Sequence, residues 1–313
     1  MITLTIAGRR IADDAPAYVV AELGHNHGGS VLTACEMIRV AAACGASAVK
    51  LQKRHNATLY TPALRAQPYE NENSFGRTYG EHRDALEFGA RQWRACQTAA
   101  GDAKVPLFAT AFDERSADFL MEQRTPAIKI ASGGLTDLPL LRHVAGLGVP
   151  IVLSTGGGDA HDIDQAVQTV TAKTPDLAVL HCTAAYPVLD HSELNLRCIL
   201  TLRARYPDLV VGYSGHDVGI AMSLIAYAFG ARIIEKHFTL NRASKGTDHS
   251  FSLEPVGLRK LCRDLDRCHV ACGDGVKRMY QSEVAPISKM RRWLIDGQWQ
   301  IGTLAEQTPK VLA

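Results

Sequence analysis

No apolar stretch in this chain approaches the roughly 18 residues that a membrane-spanning helix needs, so no transmembrane segment is expected. An excess of one charge is missing too. Across 313 residues, 34 Lys and Arg stand against 32 Asp and Glu, a formal net charge of +2, with no block of like sign. Neither nucleic acid nor a membrane surface is therefore expected as a partner. Tryptophan is scarce: Trp93 stands alone, and Trp293 and Trp299 fall in the C-terminal tail, so they make no stacking platform. The eight cysteines form no CxxC pair and no zinc-finger spacing. Scattered through apolar or helical patterns, they read as reduced, partly buried thiols of a cytoplasmic protein. The opening residues, MITLTIAGRRIADDAP, place arginines and aspartates where a signal peptide would need an apolar core, so no leader is expected.

What is present is a repeating pattern. Hydrophobic residues make up 46% of the chain, enough for a substantial core. Short apolar runs recur at Tyr18–Glu22, Ala48–Gln52, Leu107–Ala111, Ala127–Ala131, Pro150–Ser154, Ala178–Cys182, Val210–Ser214 and Arg232–Lys236. Helix-like stretches such as LTACEMIRVAAACGA, ERSADFLMEQR and GIAMSLIAYAFGA lie between them. Strands alternating with helices imply parallel pairing and right-handed crossovers. Eight such units predict a closed (β/α)8 TIM barrel. An open doubly wound sheet is the competing fold, and the lack of GxGxxG after the first strand counts against it. The barrel is expected over residues 1–275, with a short linker-like tail over 276–313. Residues 54–81 read as a long loop, and long βα loops on such scaffolds often carry function.

Polar side chains collect where the strand runs end, the face that holds active sites in such barrels. Glu22 ends the first run, Lys50 and Gln52 the second, and Thr110 the third. The fourth carries Lys129 with Ser132 just beyond, Ser154 ends the fifth, Tyr186 lies beyond the sixth, and Ser214 ends the seventh with His216 after it. The eighth carries Glu235, Lys236 and His237. Lysines inside apolar runs are costly unless paired or functional. With several hydroxyls beside them, Lys50 and Lys129 suit a phosphate or carboxylate ligand. His216 and His237 end adjacent strands, close enough to share one divalent ion, with Glu22 as a further oxygen donor. Two hydrogen-bonded core histidines are the other reading. The stretch AELGHNHGGS at residues 21–30 resembles a metal site in itself, but Asn26 and His27 are expected to brace the loop. Cys182 reads as a packing thiol, because adjacent strand residues face opposite ways.

At this point the motifs VAELGHNHGG, AVKLQ, ATAFD, KIASG, VLSTGG, LHCTAAYP, VGYSGHDVG, IIEKHFTL and GTDHSFSLEP, in this order, resemble those of the sialic acid synthase family, and the match covers about residues 3 to 290. That family comprises N-acetylneuraminate, legionaminate and pseudaminate synthases. The resemblance implies condensation of phosphoenolpyruvate (PEP) with an aldose or open-chain N-acyl amino sugar. The product would be a 2-keto-3-deoxy acid, released with phosphate. It implies cleavage of the C–O bond of PEP, with water entering at C2 while C3 attacks the sugar aldehyde. Carried over residue by residue, it assigns PEP to Lys50, Thr110, Lys129, Ser132, Ser154 and Ser214. It gives the metal, usually manganese with magnesium or cobalt as alternatives, to His216 and His237, and a water- or metal-ordering role to Glu22. The acceptor sugar falls to Gln52, Asn73, Tyr186 and Asp248, with Asn71 as the fallback for Asn73. The catalytic set is then Glu22, Lys50, Lys129, His216 and His237. Members of the family dimerise, so a homodimer is among the implied assemblies.

This sequence departs from the family pattern in places. Gly134 stands where a glutamate is common, Gly215 where an acid precedes the histidine, and Asp217 adds an acid two positions on. Ala184 and Ala185 precede the Tyr-Pro of the sixth run. Relatives carry an antifreeze-like domain that presents an arginine to the N-acyl group; here the tail beyond the linker is too short to bury a core. Donor-side residues are kept and acceptor-side residues changed, so an altered acceptor is expected, with His25 a candidate contact. Two further readings stay open: a barrel lyase or aldolase working through a Schiff base on Lys129, and a non-catalytic paralogue that binds PEP or a sugar.

Overall fold

The computed structural model describes residues 2–295 and 297–301. It divides into two compact units, residues 1–270 and 271–313. The first opens with an antiparallel hairpin, β1 (Thr3–Ile6) and β2 (Arg9–Ala12). Eight parallel strands then follow: β3 (Tyr18–Gly24), β4 (Ala48–Lys53), β5 (Leu107–Ala111), β6 (Ile128–Ile130), β7 (Ile151–Ser154), β8 (Leu177–Cys182), β9 (Val210–Gly215) and β10 (Ile233–His237). They pair in chain order and β10 closes on β3, so the sheet is a closed barrel with a helix after each strand. The expected (β/α)8 fold is what forms. The second unit, by itself, holds a helix at Gln281–Met290 and an antiparallel pair, β11 (Arg292–Ile295) and β12 (Gln298–Ile301). The rest of the expected tail, residues 302–313, lies outside the described residues. No helix among the described residues is long and apolar enough to cross a membrane.

Every barrel strand except the edges of its run is buried on both faces, which is why the strands read as continuous apolar runs rather than alternating ones. The two faces nonetheless bury different things. Val19, Val49, Ala109, Ile128, Leu153, Val179, Val211 and Ile234 point outward into the layer shared with the helices. The opposite parity points into the barrel: Tyr18, Val20, Ala48, Phe108, Ala127, Val152, Ala178, Val210 and Ile233 fill its lower half. Leu4, Ile6 and Ile11 of the β1–β2 hairpin join this inner cluster and plug the N-terminal end. The same inward parity continues upward as Glu22, Lys50, Gln52, Thr110, Lys129, Ser154, Ser214, Glu235 and His237. A strand's period of two thus carries the change from oil to charge within one column of side chains.

Residues 54–81 are not the open loop expected. They include the short helices Asn56–Leu59 and Pro62–Ala66 and the start of a third, Tyr79–Leu86. Their threonine caps explain this: Thr61 accepts from the Leu64 amide ahead of Pro62, and Thr78 from the Glu81 amide.

Candidate active site

Strand register sets the rows of the site. His237 lies beside Glu22 and Glu22 beside Lys50, while Gln52, Thr110 and Lys129 form the next row. These side chains line a cavity of about 490 Å³ at the C-terminal mouth of the barrel. Of the residues assigned from sequence, Glu22, Lys50, Gln52, Thr110, Lys129, Ser132, Ser154, Tyr186, Ser214, His216, His237 and Asp248 all reach its wall. Asn73 does not. Its Oδ1 accepts from the Gly246 amide at 2.9 Å, which ties the loop holding Asp248. The fallback Asn71 is exposed and caps the Asn73 amide.

The floor is an alternating row of charge, Glu22–Lys50–Glu235–Lys129. Lys50 and Lys129 are 3% and 2% exposed. Lys129 Nζ lies 2.9 Å from both Glu235 oxygens. Lys50 Nζ lies 2.6 Å from Glu22 Oε2 and 3.5 Å from Glu235 Oε1, and donates to Thr110 Oγ1 at 2.8 Å. Gln52 donates to the other Glu22 oxygen at 2.9 Å. Burial opposes the charge on Glu235, but Lys129 and Lys50 outweigh it and pull the carboxyl down to about 2. Burial pushes Glu22 the other way, upward against the pull of Lys50, with Glu235 adding to the push. Two carboxylates with opposed shifts share two ammonium groups. Such a cluster is poised to exchange one anion for another. Around it stand the hydroxyls. Ser214 donates to Glu235, Ser132 accepts from the Gly156 amide, and the buried Ser154 hydroxyl has no hydrogen-bond partner among the described residues.

Glu235, which the sequence marks only as a polar residue of the eighth run with no assigned role, lies between the two lysines of this row. Its parity on β10, two before His237, is the signal that identifies it. Cys182 also departs from expectation. His181 is the residue that turns outward, to the Leu194 carbonyl at 2.7 Å. Cys182 faces the cavity and takes a 3.4 Å contact from the Ser132 hydroxyl.

Above the floor, the imidazole centroids of His216 and His237 lie 5.3 Å apart. Burial, together with neighbouring cationic groups, holds both rings neutral, at about 3. His216 Nδ1 lies 2.9 Å from the Thr183 carbonyl, which makes it the protonated nitrogen and leaves Nε2 with a lone pair. His237 Nδ1 is buried without a hydrogen-bond partner among the described residues, 3.6 Å from Asp248 Oδ2. Two neutral imidazoles with an orphaned nitrogen fit a divalent ion that takes its other ligands from water or substrate. Among the described residues no group of three or more His, Cys, Asp and Glu side chains forms a complete metal cage. Tyr186 covers His216, with ring centroids 4.1 Å apart.

The departures from the family pattern prove to be linked. Asp217 does not face the histidines. It is fully buried behind the strands, where it accepts from Lys236 Nζ at 3.0 Å and from the Tyr213 hydroxyl at 2.9 Å. A Cβ on Gly215 would lie 2.5 Å from the Tyr213 ring and 2.8 Å from Asp217 Oδ1. The glycine at 215 therefore makes room for the buried Tyr213–Asp217–Lys236 group. At Gly134 a Cβ would meet Ile130 Cγ2 at 2.9 Å, so the backbone is closely packed there as well. In the first loop, Asn26 braces as expected, donating to the Phe238 carbonyl and to Ser252 Oγ at 2.9 Å each. His27 Nδ1 accepts from the Gly29 amide, and the ring stacks on Phe88.

A closed parallel barrel with paired cations, hydroxyls and two imidazoles at its C-terminal mouth has the form of a barrel enzyme acting on an anionic small molecule. Comparison with known proteins narrows the class. A model of the NeuB family matches residues 37–277. N-acetylneuraminate-9-phosphate synthase of Homo sapiens is 37% identical over 288 residues, 92% of this chain and 80% of that protein. N,N'-diacetyllegionaminic acid synthase of Campylobacter jejuni is 34% identical over 281 residues, 88% of this chain and 84% of that one. The crystal structure of N-acetylneuraminic acid synthetase from Leptospira borgpetersenii, in complex with citrate, superposes with a TM-score of 0.80 at 31% identity, covering 91% of this chain and 95% of that one. The chain belongs to the NeuB family of sialic acid-type synthases.

Proposed function

We propose that this protein condenses PEP with an aldose or N-acyl amino sugar to give a 2-keto-3-deoxy sugar acid and phosphate. The observation that carries the reading is the floor of the cavity: Lys50 and Lys129, almost fully buried, set between Glu22 and Glu235 and ringed by hydroxyls. PEP brings a phosphate and a carboxylate, the two groups such a floor binds. Lys50, Lys129 and the Ser154 hydroxyl, whose oxygen has no hydrogen-bond partner among the described residues, would hold them. The C3–C1 bond forms between PEP and the aldehyde, and the aldehyde oxygen takes a proton. Water adds at C2, the C2–O bond breaks, and phosphate leaves with the bridging oxygen. Glu22, held between Lys50 and Gln52 and pushed upward by burial, is placed to order that water and accept its proton.

A divalent ion, manganese first and magnesium or cobalt as alternatives, would be held by His216 and His237, and when bound it supplies Lewis-acid stabilisation of developing negative charge. Tyr186 and Asp248 flank the two imidazoles and would position the acceptor with Gln52. The eight thiols, none in a disulfide, fit a cytoplasmic setting. The test is to supply PEP, Mn²⁺ and a panel of aldoses and amino sugars, and to follow phosphate and 2-keto acid together. Equal amounts of both, dependent on the sugar, are expected. Phosphate without 2-keto acid, or neither with any aldehyde, would refute the reading.

A further inference from the structure

Lys236 and Asp217 form a buried ion pair that lies outside the cavity and takes no part in the condensation. They are 1% and 0% exposed. Lys236 Nζ reaches Asp217 twice, donating to its main-chain carbonyl at 2.5 Å and to its Oδ1 at 3.0 Å. The Tyr213 hydroxyl donates to the same Oδ1 at 2.9 Å. Each partner is next in sequence to an imidazole: Asp217 follows His216, and Lys236 precedes His237.

The backbone around them shows what such a clamp does. β9 and β10 pair from Tyr213–Ile234 to Gly215–Lys236, and the ladder stops there. On the other side of β9, pairing with β8 ends one residue earlier, at Cys182–Ser214. His237 stands beyond the end of the β9 ladder but is held from its other side. It pairs with Glu22 of β3, the Phe238 amide donates to the Glu22 carbonyl at 2.8 Å, and the Leu253 amide donates to the His237 carbonyl at 2.8 Å. His216 has left the sheet on both sides. Toward the loop after β8 it is tied by the Val188 amide, which donates to its carbonyl at 3.2 Å, and by its own Nδ1 on the Thr183 carbonyl at 2.9 Å. Toward β10, the strand that carries the other imidazole, Lys236 supplies the connection through the residue next to His216.

Replacing a buried ion pair with apolar side chains of similar volume is often neutral or stabilising, so stability is a weak reason for such a pair, and fixing register is its best-attested use. We propose that Lys236, Asp217 and Tyr213 are positioning residues: they continue the β9–β10 pairing past its last rung and so hold the His216 ring at its 5.3 Å spacing from His237. None of the three lines the cavity, so they act on its contents only through the imidazoles. The spacing serves the divalent ion assigned above to His216 and His237, and to that extent rests on that assignment.

The deciding variant combines Tyr213→Phe, Asp217→Leu and Lys236→Met, which removes the whole polar group and leaves no partner behind. It is expected to melt with the parent or above it. Mn²⁺, titrated without substrate and followed by electron spin resonance, should bind it about tenfold to hundredfold more weakly, the loss typical when residues that orient metal ligands are changed. Lys236→Arg, which keeps a cationic donor for the carbonyl and carboxylate of Asp217, should bind Mn²⁺ as the parent does. A triple variant that folds and binds Mn²⁺ like the parent would overturn the proposal. A loss of the same size in Lys236→Arg would trace the effect to packing and overturn it too. Should the triple variant not fold, Tyr213→Phe decides, since it removes one hydrogen bond and no charge: a weakened Mn²⁺ site in an intact fold supports the clamp, and unchanged affinity overturns it. Metal-free crystals of the same variants separate the clamp from the ion. In them the His216 ring should leave the Thr183 carbonyl or change its spacing from His237, and rings that stay in place would overturn the positioning role. If the parent takes up no Mn²⁺ and the rings still shift in the variant, the ion assignment fails and the positioning role stands.

Discussion

Replacing Glu235 with glutamine should uncouple the stability of the site from its affinity for anions. In the protein as folded, two buried ammonium groups are balanced by two carboxylates. Glu235 accepts from Lys129 at 2.9 Å through both oxygens, takes the Ser214 hydroxyl at 3.2 Å and lies 3.5 Å from Lys50. Glu235→Gln keeps the shape and removes one negative charge. Lys129 loses the one carboxylate that pairs with it among the described residues, and breaking a buried pair in this way costs about 3–5 kcal/mol. At roughly 2 °C per kcal/mol for a barrel of this size, the melting temperature should fall by about 6–10 °C. A bound anion should then do more for the variant than for the parent. A unit charge about 5 Å away, at an effective dielectric of about 20, is worth roughly 3 kcal/mol, so PEP or inorganic phosphate should bind up to about a hundredfold more tightly than to the parent. Thermal melts with and without ligand, together with calorimetry, read both effects. A variant that melts with the parent would show that the lysines do not depend on Glu235. A variant that is destabilised but gains nothing from PEP would show that the floor is not where the anion binds.

Other consequences can be checked without substrate. Gly215→Ala puts a methyl group 2.5 Å from the Tyr213 ring, so it should destabilise the barrel by about 1–3 kcal/mol as an overpacked core site does, and denaturant unfolding that matches the parent would contradict the account of that glycine. His27 stacks on Phe88, and its burial lowers its pKa from the ordinary 6.5 to about 4. The unfolded state then binds the extra proton, so stability present above pH 6.5 is lost as the pH falls toward 4, by roughly 3 kcal/mol from this residue alone. In His27→Phe the proton uptake on unfolding across that window should drop by about one, and an unchanged slope would refute the assignment.

Much of the fold was legible because each strand is buried on both faces and each helix separates two strands; the run boundaries fall within a few residues of the observed strands. The site was legible where parity carried it. Lys50 and Lys129 interrupt apolar runs and His216 and His237 stand at the ends of two adjacent ones, the positions that face the mouth of such a barrel. Glu235 follows the same parity but sits among other charged residues, and only its spacing of two from His237 separates it from Lys236, which points away to Asp217. Arg83, which lines the same cavity, carried no signal at all. It comes from a short helix in a stretch that reads as loop, and only the folded chain brings it to that wall. Asn73 was placed by resemblance in that same variable stretch, where its amide is committed to the Gly246 backbone. Asp217 looked like an acid added beside a histidine, but one residue of offset turned it to the outer layer.

The central claim is that C3 of PEP joins the sugar aldehyde at this floor while water replaces phosphate at C2. PEP labelled with ¹⁸O in the bridging C–O–P position decides it. After reaction with an accepted sugar, all of the label should appear in inorganic phosphate, seen as an isotope shift in the ³¹P spectrum, and none in the 2-keto group. Label retained in the 2-keto acid, which requires the P–O bond to break instead, would contradict the account.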